Sequence, residues 1–352
     1  MKYYFLTGER SGDMHAANLA AELKKTDPDF SARGFGGDKL KEAGVELDCG
    51  LERLSFMGFW EVVKHLPVIL QNFKIAKRSI LNFQPDVVIL VDNPGFNMRL
   101  AKWCKAHGIK VAYYILPQVW AWNHKRVYRL RENCDLLIGI LPFEKEFYTK
   151  YEVEMHYAGH PLLDINNENK NTEGRKSIAL LPGSRKQEIY RLMPVMLETA
   201  ESLPHEKFVI AGLSKLKELY PAALPPNVSL VFDSTYEVVT EAKAAVVCSG
   251  TATLETALLN TPQVVVYKTG AINAQIVKRV AKVPFAALPN LIAGEKTVEE
   301  LLQWDCTPAK IASELKKLVE QDMSGMYKKV QDKIGEAGAS ARAAELIFNL
   351  VA

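Results

Sequence analysis

The stretch LLPGSRKQEIYRLMPVML, Leu180 to Leu197, puts two cations where they cost energy. Ile178 to Leu181 read as the end of a buried strand, and Pro-Gly then turns the chain. Ile189, Leu192, Met193 and Met196 repeat as one face of a helix. Ser184 and Gln187 have capping-box spacing, which predicts a helix start at Ser184 with Arg185 and Lys186 in its first turn. The helix dipole is positive there, so each cation costs on the order of 0.3–1 kcal/mol. A strand, a turn and a helix N-terminus also form an anion site from backbone N–H groups, which Arg185 could complete with a bidentate contact to phosphate. A bound anion would relieve the misplaced charge; the alternative is a solvated surface arginine.

The stretch AVVCSGTATLE repeats the arrangement. A strand ends at Cys248, Ser249, Gly250 and Thr251 turn the chain, and a helix turns Leu254, Ala257 and Leu258 inward. Glu255 could hold two ribose hydroxyls, or it is a first-turn glutamate favoured by the dipole alone. Asp92 stands where VVILVD leaves its sheet. It reads as a general base, or, in DNP, as turn chemistry. Asp13 and His15 flank the start of the first helix and can equally be a cap and a structural histidine. Asp27-Pro28-Asp29 reads as a turn, not a metal-binding pair. LSFMGFWEVVKHLPVILQNFKIAKR gathers Phe56, Met57, Phe59, Trp60, Leu66, Ile69, Leu70 and Phe73 beside Lys64, Lys74, Lys77 and Arg78. That composition fits an interfacial helix or acyl-chain groove, or ordinary core.

Strands and helices alternate through the chain, and the strands are continuously apolar. This predicts an α/β protein with parallel sheets covered on both faces. The 352 residues suggest two domains. The polar run Asn166–Lys176 marks the break, giving Rossmann-like halves over 1–165 and 166–329 that face each other across a cleft. A helix over about 330–352 is expected to pack back on the first half. Functional loops should lie at the carboxyl ends of the strands. A net charge of +3 is too small to argue for nucleic acid. No apolar stretch is long enough to span a membrane. The N-terminal apolar run is too short for a signal peptide. The five scattered cysteines suggest reduced thiols in a cytoplasm and no zinc site. G-x-G-x-x-G is missing from the first turn and the P-loop pattern is absent, which disfavours a nicotinamide enzyme and excludes a P-loop NTPase.

Taken in order, GERSGDMH, MGFWEV, PDVVILVDNPGFN, VWAW with KRV, ILPFEKEFY, GHPLLD, LLPGSRKQEI, SGTATLE, VVVYK and LPNLIAG followed by ELLQ resemble the lipid-A-disaccharide synthases. This is glycosyltransferase family 19, of the glycosyltransferase-B fold, and the resemblance covers nearly the whole chain. There are departures. Arg10 replaces the usual alanine of GEASGD, Gly95 stands where an acidic residue is frequent, and YYILPQVWAW replaces VSPSVWAW. The resemblance implies transfer of 2,3-diacylglucosamine from UDP to 2,3-diacylglucosamine 1-phosphate (lipid X), inverting and without metal or cofactor. It implies Asp92 as the base, with His15 as runner-up. Arg185, Ser249, Gly250, Thr251, Glu255, Asn290 and Gln303 would lie on the donor side, and Glu9, Ser11 and Asp13 on the acceptor side. It favours the Phe56–Phe73 segment as an acyl or membrane contact, with the protein peripheral on the inner face of the cytoplasmic membrane and a homodimer unsurprising. Rival readings are a nucleotide-sugar 2-epimerase and a non-catalytic sugar-nucleotide or lipid carrier.

Overall fold

The computed structural model describes residues 1–53, 66–164, 175–270, 275, 279, 283–320 and 324–352. The chain forms two compact units, Met1–Ile165 with Glu336–Ala352, and Asn166–Gly335. Most of the polar run expected to join them lies outside the described residues.

The first unit is built on β1 (Lys2–Leu6), β2 (Ser31–Gly36), β3 (Glu46–Gly50), β4 (Val87–Val91), β5 (Lys110–Tyr114), β6 (Leu136–Gly139) and β7 (His156–Tyr157). They form one parallel sheet in the order β3-β2-β1-β4-β5-β6-β7. Alternate residues enter opposite cores: Tyr4, Leu6, Val88 and Leu90 pack on one face, and Tyr3, Phe5, Val87, Ile89 and Val91 on the other. Both faces are covered by helices, which is why these strands are apolar throughout. Each fully buried aliphatic side chain contributes roughly 1.5–3 kcal/mol.

The second unit is built on β8 (Ser177–Leu181), β9 (Lys207–Gly212), β10 (Val228–Phe232), β11 (Ala242–Cys248), β12 (Gln263–Tyr267) and β13 (Glu299–Leu302). Their order is β10-β9-β8-β11-β12-β13, again parallel. In each sheet the strand order reverses beside the first strand, between β1 and β4 and between β8 and β11. In open α/β sheets that reversal is where ligands bind.

The C-terminal crossing differs from the expected boundary near 329. The helix Ser324–Ile334 stays with the second unit, where the Tyr327 hydroxyl donates to the Thr261 carbonyl at 3.1 Å. Gly335 and Gly338, with φ of +82° and +99°, break the chain. Only the helix Ala339–Val351 joins the first unit, burying Ala343, Ala344 and Ile347 against the β1 and β4 face. Asp164 caps it: its carboxylate accepts from the N–H groups of Gly338, Ala339 and Ser340 at 2.6, 3.0 and 2.7 Å. The Arg342 Nε donates to the Ala158 carbonyl at 2.7 Å.

Candidate active site

In the first unit the loops after β1 and β4 meet at the switch point. Gly8 packs so closely on Asn93 that a Cβ on it would come within 2.2 Å of the amide nitrogen. Asp92 and Asn93 both have left-handed backbones, with φ of 48° and 44°. Such conformations cost on the order of 1–3 kcal/mol each and persist only where neighbours impose them. Here the Asp92 N–H donates to the Tyr114 carbonyl at 3.3 Å. Its own carbonyl accepts from the Tyr113 hydroxyl at 2.6 Å and the Asn97 amide at 2.8 Å. The backbone carrying this half-buried carboxylate is therefore fixed from three sides.

The first helix runs from Arg10 to Thr26 with Glu9 at its N-cap, so Asp13 and His15 lie inside it and do not flank its start. Glu9 and Ser11 are half-buried at its start. Asp13 does not cap its own helix. It is buried, and its two oxygens accept from Gly37 N–H at 2.6 Å and Lys39 N–H at 3.2 Å, capping the helix Asp38–Glu42 instead. His15 is also buried, and among the described residues its Nδ1 has no hydrogen-bond partner. Burial pushes its imidazole down to about 4, against an upward pull from Asp164. His160 beside it is pushed down to about 3, by burial first and then by His15. At neutral pH both rings are uncharged.

In the second unit the loops after β8 and β11 touch in the same way: a Cβ on Gly183 would lie 3.2 Å from the Cys248 sulfur. The helix after β8 is Lys186–Glu201, with Arg185 at the N-cap. It does not start at Ser184, and Gln187 is not its capping partner. Glu188 fills that place: its Oε2 accepts from the N–H groups of Ser184 and Arg185 at 3.1 and 3.2 Å. Its Oε1 accepts from Arg185 Nη1 at 3.0 Å. Gly183 is at φ +111°, and a Cβ there would meet Glu188 Oε2 at 2.5 Å. The turn after β11 needs its glycine as well. Gly250 has φ +155° and ψ −162°, a region essentially closed to other residues, although a side chain would find open space. Thr251 begins the helix Thr251–Leu258. Glu255 on that helix is half-buried, and burial raises its pKa.

Ser249 is held at both ends, its N–H donating to the Val266 carbonyl at 2.9 Å and its hydroxyl to the Ala286 carbonyl at 3.0 Å. Glu300 in turn accepts from Ala286 N–H and Ala287 N–H, both at 2.9 Å. Asn290, expected on the donor side, lies behind this loop. It is fully buried, its Nδ2 donates to Glu300 at 2.8 Å and to the Val298 carbonyl at 3.0 Å. Its Oδ1 accepts from the N–H groups of Thr297 and Val298 at 2.7 and 2.8 Å. Every position of its amide is occupied by the fold. The Gln303 Oε1 accepts from Thr269 N–H at 3.2 Å.

Phe56, Met57, Phe59 and Trp60 lie outside the described residues. Downstream, Phe73 belongs to the core, stacked on Phe96 with ring centres 4.0 Å apart. Ile69 is half-buried, whereas Leu66 and Leu70 are 46% and 53% exposed, one helical turn apart and followed by exposed Lys74. No described helix is long and apolar enough to cross a membrane. Among the described residues, no three His, Cys, Asp or Glu side chains could together hold a metal ion.

Two parallel sheets, each carrying polar loops at its switch point, define the class: an α/β protein of glycosyltransferase-B architecture. Solved structures share this fold. The UDP-GlcNAc 2-epimerase of Methanocaldococcus jannaschii, in complex with UDP-GlcNAc and UDP, matches with a TM-score of 0.68 and 12% identity, covering 99% of this chain and 100% of that one. The glycotransferase of kitacinnamycin matches with a TM-score of 0.64 and 15% identity over 100% and 99% of the two chains. The family model for lipid-A-disaccharide synthetase matches residues 3–345. The lipid-A-disaccharide synthases of Syntrophus aciditrophicus and Myxococcus xanthus are each 38% identical, over 98% of this chain and 97% and 96% of theirs. The chain belongs to the lipid-A-disaccharide synthase family and is a glycosyltransferase.

Proposed function

We propose that the protein transfers 2,3-diacylglucosamine from UDP to the 6-hydroxyl of lipid X, with inversion, giving the β(1→6) tetraacyl disaccharide 1-phosphate and UDP. The first unit takes the acceptor and the second takes the nucleotide sugar. Asp92 accepts the proton of the 6-hydroxyl as that oxygen bonds to the anomeric carbon and the bond to UDP breaks. Backbone N–H groups at the start of Thr251–Leu258 and the Arg185 guanidinium stabilise the charge growing on the departing diphosphate, the task a metal performs elsewhere. Glu255 fixes the ribose, with Ser249, Gly250 and Gln303 shaping the loop around it. Asn290 acts from behind, through Glu300 and Ala286. Glu9 and Ser11 line the acceptor side.

The observation that carries this reading is the left-handed backbone of Asp92, at φ 48° and tied down by Tyr113, Tyr114 and Asn97. Strain maintained by three neighbours at a switch point is more readily understood as placement of a reacting group than as turn chemistry alone. The family supports the sugar and lipid chemistry. Exposed Leu66, Leu70 and Lys74 support peripheral contact with the inner membrane surface. A homodimer belongs to the same reading.

The test is UDP release in the presence of EDTA, with UDP-2,3-diacylglucosamine supplied with and without lipid X. Release that needs the acceptor and survives the chelator is expected. Tight UDP binding without release would overturn the proposed reaction.

A further inference from the structure

Among the described residues, Arg126 is a cation without a counter-charge. It opens the helix Arg126–Asn133, which follows β5 and the VWAW segment. Its guanidinium lies 4.3 Å from the centre of the Trp122 ring. Among the described residues it makes no ion pair and no side-chain hydrogen bond. Two other arginines of this unit do find acceptors: Arg33 bonds Asp48 at 2.6 Å, and Arg342 bonds three carbonyls. Arg126 is also half-buried, and burial first, then the nearby charge of Arg129, lower its pKa. The dipole of its own helix opposes it too. Desolvation, a like charge and a dipole all disfavour this guanidinium, and a bound anion would relieve all three.

Its place in the fold says which anion. Arg126 lies close enough to Tyr113 for the two to interact electrostatically, and the Tyr113 hydroxyl donates to the Asp92 carbonyl at 2.6 Å. The guanidinium is therefore coupled to the tyrosine that holds the backbone of the proposed base. We propose that Arg126, stacked on Trp122 and backed by Arg129, binds the phosphate monoester of the acceptor and so selects a phosphorylated sugar. This rests on the function proposed above. Trp122, 43% exposed, supplies an apolar platform beside the charge.

The experiment compares the wild type, Arg126→Gln and Arg126→Lys in detergent micelles, using acceptor with and without its 1-phosphate. The wild type should prefer the phosphorylated acceptor. Arg126→Gln should raise the KM for it by at least about tenfold, the loss of one charge-assisted contact. The donor KM and the rate with dephosphorylated acceptor should not change, and Arg126→Lys should recover part of the preference. A wild type that turns over, with its preference intact in Arg126→Gln, would overturn this inference alone. A wild type inactive with both acceptors would overturn the proposed function and this inference with it. Sedimentation with phosphatidylglycerol vesicles separates the other source of phosphate. If Arg126→Gln abolishes sedimentation while the acceptor preference survives, the guanidinium serves lipid head groups and the inference is wrong.

Discussion

Arg185 and Glu188 form a closed unit: the glutamate accepts from the arginine backbone N–H at 3.2 Å and from its guanidinium at 3.0 Å. The cation at the start of the helix is thus compensated before any anion arrives. Glu188 neutralises it and shapes the turn around it, while Arg185 remains 47% exposed. Replacing Glu188 with Gln should lower stability by roughly 1.5–3 kcal/mol, the range for hydrogen bonds to a charged group. UDP affinity should fall at least about tenfold as the loop loses its shape. Thermal unfolding and calorimetric UDP titration check both, and unchanged values would show that Glu188 is a bystander.

Asn290 should behave as a support, not as a ligand. Truncation to Ala leaves the buried N–H groups of Thr297 and Val298 without their acceptor, which costs roughly 3 kcal/mol. The loop carrying Ala286 then loosens behind Ser249. The unfolding midpoint should fall together with donor affinity. Lost donor affinity at full stability would return Asn290 to direct contact.

His15 and His160 should make the first unit acid-sensitive. Both are buried uncharged, so their folded values, about 4 and about 3, lie below the ordinary 6.5. Stability is full above pH 6.5 and is lost as pH falls through that window, because the unfolded state binds protons first. His15→Phe should keep stability and turnover at pH 8 and flatten the acid slope. Lost turnover at pH 8 in a folded variant would make His15 the base.

Glu144 works in the opposite direction. It is buried, accepts from the N–H groups of Ile140 and Leu141 and from Trp120, and burial raises it to about 7. The folded state keeps the proton that the unfolded state releases near 4.5. Stability therefore declines as pH rises from about 4.5 to 7, by on the order of 3 kcal/mol. Glu144→Gln should remove that decline in denaturant titrations across this range. An unaltered slope would contradict the assignment.

The strand–turn–helix loops were legible because apolar runs, turn glycines and helical repeats coincide at Arg185, Ser249 and Asp92. What those patterns lack is direction. Asp13 and Asn290 are polar residues of motifs the family shares, yet both turn into the fold to satisfy backbone N–H groups. Glu188 escapes the Ser184–Gln187 spacing because the actual N-cap is Arg185, one residue further on. Spacing three from Arg185 would have found it. The expected return near 330 comes too early because Tyr327 continues the second core and the unit runs to Gly335, where the glycines at 335 and 338 mark the break.

The most direct measurement is turnover and UDP affinity of Asp92→Asn, made side by side. If Asp92 is the base, kcat should fall by about 10²–10⁴, the usual contribution of a general base, with UDP affinity unchanged. Equal loss of both, or full turnover, would contradict the central claim.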